Sequence, residues 1–275
     1  MKKSPKGRYE TEVITCKKVS PSSFIIELSK PERFPGAMPG QFISIRVSGV
    51  NFPLLRRPYS ILDMTDDHIA LLVKIVGRGS EALASLKTGD LVDFIGPLGS
   101  TYFELDKGTD AVFVAGGTGL APLVFAARMW SLEGRAQRMD LLYGTDDSSE
   151  VLADIFKDDF SQVYIATIDG SRGFEGNVVE MFKDLTERGI LPEGKLYSCG
   201  PSGMVKALVN SGTHSFIDHY TSLESVMACG VGACRGCVVP VTFPKGAKYK
   251  SVCGDGTVFR AEDIDWDNWR GPGKD

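Results

Sequence analysis

Of the six cysteines in this chain, four lie close together as Cys229-x4-Cys234-x2-Cys237, with Cys253 following after fifteen intervening residues. Thiolates are ligands for soft metals, and a C-x4-C-x2-C…C spacing is that of plant-type [2Fe–2S] sites. Four thiolates offset the charge of two ferric ions, and the short loop lets three of them converge. Gly230, Gly232 and Gly236 interleave the cysteines. Glycine lets backbone N–H groups approach sulfur closely, and such hydrogen bonds tune a cluster. A structural zinc site is the competing reading. Zinc sites favour paired C-x2-C units, and only Cys234 and Cys237 have that spacing. Four buried thiols without metal are a further alternative. A two-iron cluster moves one electron at a time, so such a chain must contain or meet a redox partner.

Other segments suit a nucleotide or a flat ring. Arg56-Arg57-Pro58-Tyr59-Ser60 offers a planar fork for phosphate, a phenol that can lie on a ring and a hydroxyl that can bond a ring nitrogen. An exposed arginine pair at a strand end would look the same. Gly116-Gly117-Thr118-Gly119 leaves an apolar stretch and opens a helical one, where a phosphate can approach a helix N-terminus. It is not G-x-G-x-x-G, and a tight turn without ligand is the alternative. Cys199-Gly200-Pro201 ends a later strand, though a small buried thiol needs no function. Asp169-Gly170-Ser171 follows another strand; a carboxylate there accepts from a ribose hydroxyl and repels a 2′-phosphate. Asp146 and Asp147 add negative charge, while Arg172 argues the other way. The balance favours NADH over NADPH, with plain loop residues as the alternative.

The elements that must position these groups fall into three blocks. Up to residue 106, short runs rich in Val, Ile and Thr (9–18, 23–28, 41–47, 69–76, 91–95) are separated by Pro/Gly breaks. They predict an antiparallel β-barrel with one short helix near 79–86. Over 107–214, apolar strands at 110–115, 139–143, 163–167 and 195–199 alternate with helical stretches. That alternation predicts a parallel, Rossmann-like sheet covered on both faces. Residues 215–275 are dense in Gly and Cys, and a segment so small gains from a metal staple. The fold class expected is β plus α/β: a barrel domain (1–106), a Rossmann-like domain (107–214) and a small cluster domain (215–275).

Composition excludes several classes. With 43% hydrophobic and 24% charged residues, the chain reads as ordinary globular protein. A net charge of −4 over 275 residues offers no general basic surface for nucleic acid. No apolar run reaches the ~20 residues of a membrane span, and residues 1–10 lack the apolar core of a signal peptide. A cytoplasmic protein is therefore expected, and four clustered cysteines there favour metal over disulfides. The three histidines, His68, His214 and His219, have no H-E-x-x-H spacing and are expected on the surface or in loops. No G-x-S-x-G elbow is present.

A barrel carrying R-x-Y-S, then a Rossmann-like block opening with G-G-T-G, then C-G-P, resembles the ferredoxin–NADP reductase superfamily. The resemblance implies that Arg57 holds the pyrophosphate of FAD, with Pro58 beside it. Tyr59 would lie against the isoalloxazine and Ser60 would approach its N5 edge. Leu72, Val73 and Lys74 would line the flavin, and Gly79 and Ser80 would cap the pyrophosphate with backbone N–H groups. Gly116, Gly117, Thr118 and Gly119 would cradle NAD, Asp169 its ribose, and Cys199 would lie beside the nicotinamide as a neighbour of hydride transfer.

The full order, with the stretch from Ser222 through Cys234 and Cys253-Gly254-Asp255-Gly256-Thr257-Val258-Phe259, is similar to the electron-transfer subunits of bacterial type B dihydroorotate dehydrogenases. Thr257 stands where that family often has Pro, and Arg235 also departs; neither is a ligand. This resemblance implies a [2Fe–2S] cluster on Cys229, Cys234, Cys237 and Cys253. It also implies a separate FMN-containing catalytic subunit that oxidises dihydroorotate, in a heterotetramer with two copies of each subunit. Electrons would cross the cluster to FAD and leave to NAD+, in pyrimidine biosynthesis. A flavin must sit between NAD and the cluster, because it exchanges both two electrons and one. The same modules would serve a related NAD(P)H:ferredoxin or polysulfide oxidoreductase subunit.

Overall fold

A computed structural model describes residues 6–47, 54–211, 216–242, 248–269 and 271. Six strands close the barrel: β1 (Gly7–Lys18), β2 (Ser23–Ser29), β3 (Phe42–Val47), β4 (Arg57–Met64), β5 (His68–Lys74) and β6 (Leu91–Leu98). Their order is β1-β2-β5-β4-β3-β6, all antiparallel. Period-two burial explains the barrel core: Phe24, Ile26 and Leu28 of β2 point inward with Ile69, Leu71 and Val73 of β5. The apolar run in β5 is unbroken because its other face is also covered. Ala70 and Leu72 pack into the core of the second domain, together with Leu62 of β4. A short helix, α1 (Arg78–Ala84), leads from β5 towards β6.

The second sheet draws on β7 (Asp110–Gly116), β8 (Met139–Thr145), β9 (Gln162–Thr167), β10 (Phe174–Glu175) and β11 (Gly194–Cys199). Between them run α2 (Leu120–Leu132) and α3 (Val178–Glu187), and α4 (Ser202–Asn210) follows β11. α2 is buried nearly all round, because it is sandwiched between the sheet and the barrel. α3 is amphipathic and opens with a capping box, Asn177 Oδ1 accepting from Val179 and Glu180 while Glu180 accepts from the Asn177 amide.

Beyond residue 214 come β12 (His219–Ser222), β13 (Val238–Pro240), β14 (Tyr249–Ser251), a one-turn helix α5 (Val252–Asp255) and β15 (Val258–Arg260). The seven-stranded sheet has the order β10-β9-β8-β7-β11-β12-β15, so β12 and β15 complete its edge. Neither strand is legible in the sequence, since three or four residues carry too few side chains to show a period. β12 is parallel to β11, and only β15 runs antiparallel to its neighbour. β13 and β14 form a hairpin ladder over the cysteine loop.

Two findings differ from the sequence reading. No strand is expected at 57–64, yet R-x-Y-S is the first half of β4, paired with β3. His219 is buried at the start of β12, its Nε2 2.7 Å from Ser198 Oγ, because the sheet extends past β11. His214 lies outside the described residues.

Polar contacts hold the barrel to the sheet. Arg128 on α2 bridges Asp63 of the barrel at 2.6 Å and Asp159 at 3.0 Å. Glu150 accepts from Ser20 at 2.7 Å and Ser22 at 2.9 Å. No described helix is long and apolar enough to cross a membrane.

Candidate functional site

Pairing of β4 with β3 and β5 presents Pro58, Tyr59, Ser60, Leu72 and Lys74 to one cleft. The cleft is a cavity of about 340 Å³ whose opposite wall comes from the second domain: Thr118, Ala121, Cys199 and the segment from Ser222 to Met227. Val73 lies between Leu72 and Lys74 with its side chain in the barrel core, because strand neighbours point to opposite faces. Any contact it makes in the cleft is through its backbone. Burial pushes the Tyr59 phenol up to about 12, with Arg57 pulling the other way. Its hydroxyl therefore stays protonated and its ring serves as a surface.

Tyr59 and Val76 also wall a second cavity of about 370 Å³, with Arg57, Gly77, Arg78, Gly79 and Ser80. Here the need for glycine is steric. A Cβ on Gly79 would sit 3.0 Å from Arg57 Nε, so the absent side chain makes room for the guanidinium. The Ser80 hydroxyl accepts from the amides of Val76 and Gly77 at 2.9 and 3.2 Å and is consumed in fixing the start of α1. Arg57 also donates to the Leu55 carbonyl. One continuous surface thus combines a flat apolar slot with a cationic, amide-rich end. FAD has that shape and charge distribution.

On the sheet side, the glycine loop leaves β7 through a 3₁₀ turn at Gly117–Gly119 before α2. It lies directly against Cys199-Gly200-Pro201. A Cβ on Gly119 would be 2.2 Å from the Cys199 carbonyl oxygen, and one on Gly116 2.9 Å from Pro201 Cδ. Gly117 is needed for conformation instead, at φ +53° with open space around it. The Cys199 thiol is pushed well up by burial and by the Glu224 charge, against a hydrogen bond to Ser222. It is a protonated neighbour in the cleft and not a thiolate nucleophile.

Glu224 was not among the residues singled out from the sequence. Glu224 is exposed and lines the cleft, and desolvation by the walls around it raises its pKa. It falls within the Ser222–Cys234 stretch that carries the family resemblance, but no local pattern gives it a role, since it enters the site because β12 follows β11 in the sheet. Asp169 does not line the cleft. It stands at the far end of β9 beside Asp147 of the neighbouring loop, and hydrogen bonds from Ser171 and Ser149 hold the two carboxyls below the usual range.

Two of the cysteines meet sulfur to sulfur, and the other two are linked through a backbone amide. Cys237 Sγ lies 3.2 Å from Cys253 Sγ, and the Cys234 amide donates to Cys229 Sγ at 3.4 Å. Among the described residues no three Cys, His, Asp or Glu side chains gather as a single ion would require. Each sulfur also meets a backbone amide: Gly232 to Cys253 at 3.1 Å, Cys253 to Cys237 at 3.4 Å, and Gly236 to Cys234 at 3.5 Å. Burial alone would raise the Cys229 thiol, but the amides of Cys234, Val231 and Ala233 bring it to about 6. Gly232 (φ +86°) backs onto Gly254, whose own Cβ would lie 3.1 Å from the Gly232 Cα. Four sulfurs in an amide cage, at C-x4-C-x2-C spacing, suit a two-iron cluster better than one zinc.

Cage and cleft are adjacent. Phe42 and Leu223 line the cleft and share one apolar core with Cys237, Cys253 and Leu98. Gly230 rests on the barrel, where a Cβ would be 3.5 Å from Leu98 Cδ1 and 3.6 Å from Ser44.

Comparison with known proteins follows this division. Residues 10–103 match the family described as oxidoreductase FAD-binding domain, and residues 224–265 match the iron-sulfur cluster binding domain of dihydroorotate dehydrogenase B. The electron transfer subunit of dihydroorotate dehydrogenase B (NAD(+)) from Fusobacterium nucleatum is 39% identical over 82% of this chain and 86% of its own length. Its counterpart from Desulforamulus reducens is 34% identical over 94% of this chain and 98% of its own. Among solved structures, an NADH-dependent reduced ferredoxin-NADP oxidoreductase studied for flavin-based electron bifurcation superposes with a TM-score of 0.81. It is 27% identical, over 94% of this chain and 90% of that one.

Proposed function

The chain belongs to the family of electron-transfer subunits of dihydroorotate dehydrogenase B (NAD(+)), and on that premise we propose that it relays electrons from a separate catalytic subunit to NAD+ in pyrimidine biosynthesis. It is a flavin and iron–sulfur oxidoreductase subunit. The observation that carries the reading is the shared wall: Phe42 and Leu223 belong both to the cleft and to the core holding two of the four cysteines. When bound, the [2Fe–2S] cluster supplies one-electron transfer, and FAD joins it to the two-electron chemistry of NAD.

The residues divide the work. Arg57 holds the pyrophosphate through charge-assisted hydrogen bonds, flanked by the amides of Gly79 and Ser80. Pro58, Tyr59 and Leu72 shield the ring, Ser60 is the hydroxyl at its edge, and Lys74 sets a positive charge in the same cleft. Val73 contributes backbone. Gly116, Gly117, Thr118 and Gly119 admit the dinucleotide, Cys199 packs beside the nicotinamide, and Asp169 accepts from a ribose hydroxyl. Cys229, Cys234, Cys237 and Cys253 would hold the cluster through their sulfurs.

We divide the chain into a FAD domain (1–106), a NAD domain (107–214) and a cluster domain (215–275) whose β12 and β15 complete the NAD domain's sheet. The partner in this reading is an FMN-containing subunit that binds dihydroorotate, in a heterotetramer of two copies each. The compartment in this reading is the cytoplasm, because four clustered cysteines that serve a redox cluster suit a reducing compartment.

The test is anaerobic co-purification with assay of each fraction. The chain alone should contain FAD, iron and inorganic sulfide and be reduced by NADH, while orotate formation should need a second polypeptide. Orotate formation by this chain alone would overturn the subunit role. A second reading draws on the structural likeness to the NADH-dependent ferredoxin-NADP oxidoreductase. Capture of a partner bearing further iron–sulfur clusters, in place of an FMN protein, would select it.

A further inference from the structure

We propose that Asp154 sets the preference for NADH over NADPH by holding Arg172 away from the 2′ position of the adenosine ribose. The inference rests on the reading that the dinucleotide lies across the strand ends of the seven-stranded sheet, and it concerns a residue outside the cleft.

Two loops close the ends of β8 and β9, residues 146–150 and 168–173. They carry four acidic residues, Asp146, Asp147, Glu150 and Asp169, and a single cation, Arg172. They are stitched together: the Ser148 amide donates to Ser171 Oγ at 2.8 Å, and Ser171 Oγ donates to Asp169 Oδ1 at 2.6 Å. The Arg172 amide donates to Thr167 Oγ1 at 3.0 Å, which folds the residue back over the end of β9. Ile168, beside Asp169, is 55% exposed and offers an apolar face to a base. Arg172 is the one cation in the two loops that could take a 2′-phosphate.

Its guanidinium is already engaged. Nη2 donates to Asp154 Oδ1 at 2.7 Å, and Nη1 donates to the other carboxylate oxygen. This is the two-pronged geometry a phosphate would need from the same fork. With Arg172 neutralised, a 2′-phosphate would meet only the carboxylates of Asp147 and Asp169, whereas a 2′-hydroxyl can donate to Asp169. The pair is about half exposed on both sides, so its loss costs the fold little, and substitution at 154 changes recognition without unfolding the chain.

The experiment uses the full chain loaded with FAD and cluster, as wild type, Asp154→Asn, and Asp154→Asn with Arg172→Ala. Binding of adenosine 2′,5′-bisphosphate and of 5′-AMP is measured by calorimetry, and kcat/KM for NADPH and NADH with ferricyanide as acceptor. Asp154→Asn should tighten the bisphosphate and raise NADPH kcat/KM roughly three- to tenfold, leaving 5′-AMP and NADH within about twofold. The double variant should fall back to wild type. Unchanged bisphosphate affinity in Asp154→Asn, or a gain that survives Arg172→Ala, would overturn the proposal. If wild type bound neither 5′-AMP nor NADH, the dinucleotide reading itself would fail, and this inference with it.

Discussion

Replacing Gly119 by alanine tests the junction between the glycine loop and the strand that carries Cys199. The added Cβ would lie 2.2 Å from the Cys199 carbonyl oxygen, 2.5 Å from its carbon and 2.7 Å from the Gly200 amide nitrogen. Ordinary contact begins near 3.4 Å, so the end of β11 must recede by roughly 1.2 Å. It is poorly placed to do so, because Cys199 is in register with Ala115 of β7 and with Ser222 of β12. Overpacking of this kind costs ~1–3 kcal/mol. The strain relaxes into the cleft, and a displacement of ~1 Å at reacting groups costs ~100-fold in rate. Gly117→Ala is the matched comparison: its φ is +53° but nothing crowds it, so it carries only the left-handed penalty of ~1–2 kcal/mol. Urea unfolding and stopped-flow bleaching of the flavin by NADH measure both. Gly119→Ala should lose far more NADH-driven reduction than Gly117→Ala at similar or greater loss of stability. Equal rates for the two variants, or a wild-type rate in Gly119→Ala, would refute the close approach.

Arg57→Ala should weaken FAD binding about 10- to 150-fold, since a hydrogen bond to a charged group is worth ~1.5–3 kcal/mol; an unchanged FAD dissociation constant would remove Arg57 from the pyrophosphate. Cys253→Ser should abolish stoichiometric iron and sulfide while leaving FAD in place, and full iron content would contradict its place in the cage. Burial holds His219 neutral down to about 3 in the folded chain, while in the unfolded chain it protonates near ~6.5. Its unfolded form alone takes up the proton between those values, so this part of the stability is whole above pH ~6.5 and shrinks as pH falls, by ~2 kcal/mol at pH 5. His219→Gln should lack that loss, read as the difference in urea unfolding at pH 7 and pH 5; parallel curves for the two proteins would count against the buried neutral imidazole.

The chemistry of the cage was legible before any fold was known, because three of its cysteines and their glycines lie within nine residues. Over so short a loop, spacing sets geometry. The barrel and the parallel sheet were legible for a related reason: alternation and continuous apolar runs report how many faces of a strand are covered. The unbroken run in β5 even marks a barrel strand whose outer face packs into the core of the second domain.

Other features depend on which elements become neighbours, and no local pattern encodes that. Glu224 reaches the cleft because β12 lies beside β11. His219 is interior because the sheet runs on to β15. Arg172 was ambiguous as a loop cation until the chain placed Asp154, eighteen residues earlier, against it. Spacing along a few residues points to atoms suited to iron, phosphate or a flat ring. Only the packing of barrel against sheet decided which of those atoms share a wall, because strand order joins residues that are far apart in the chain.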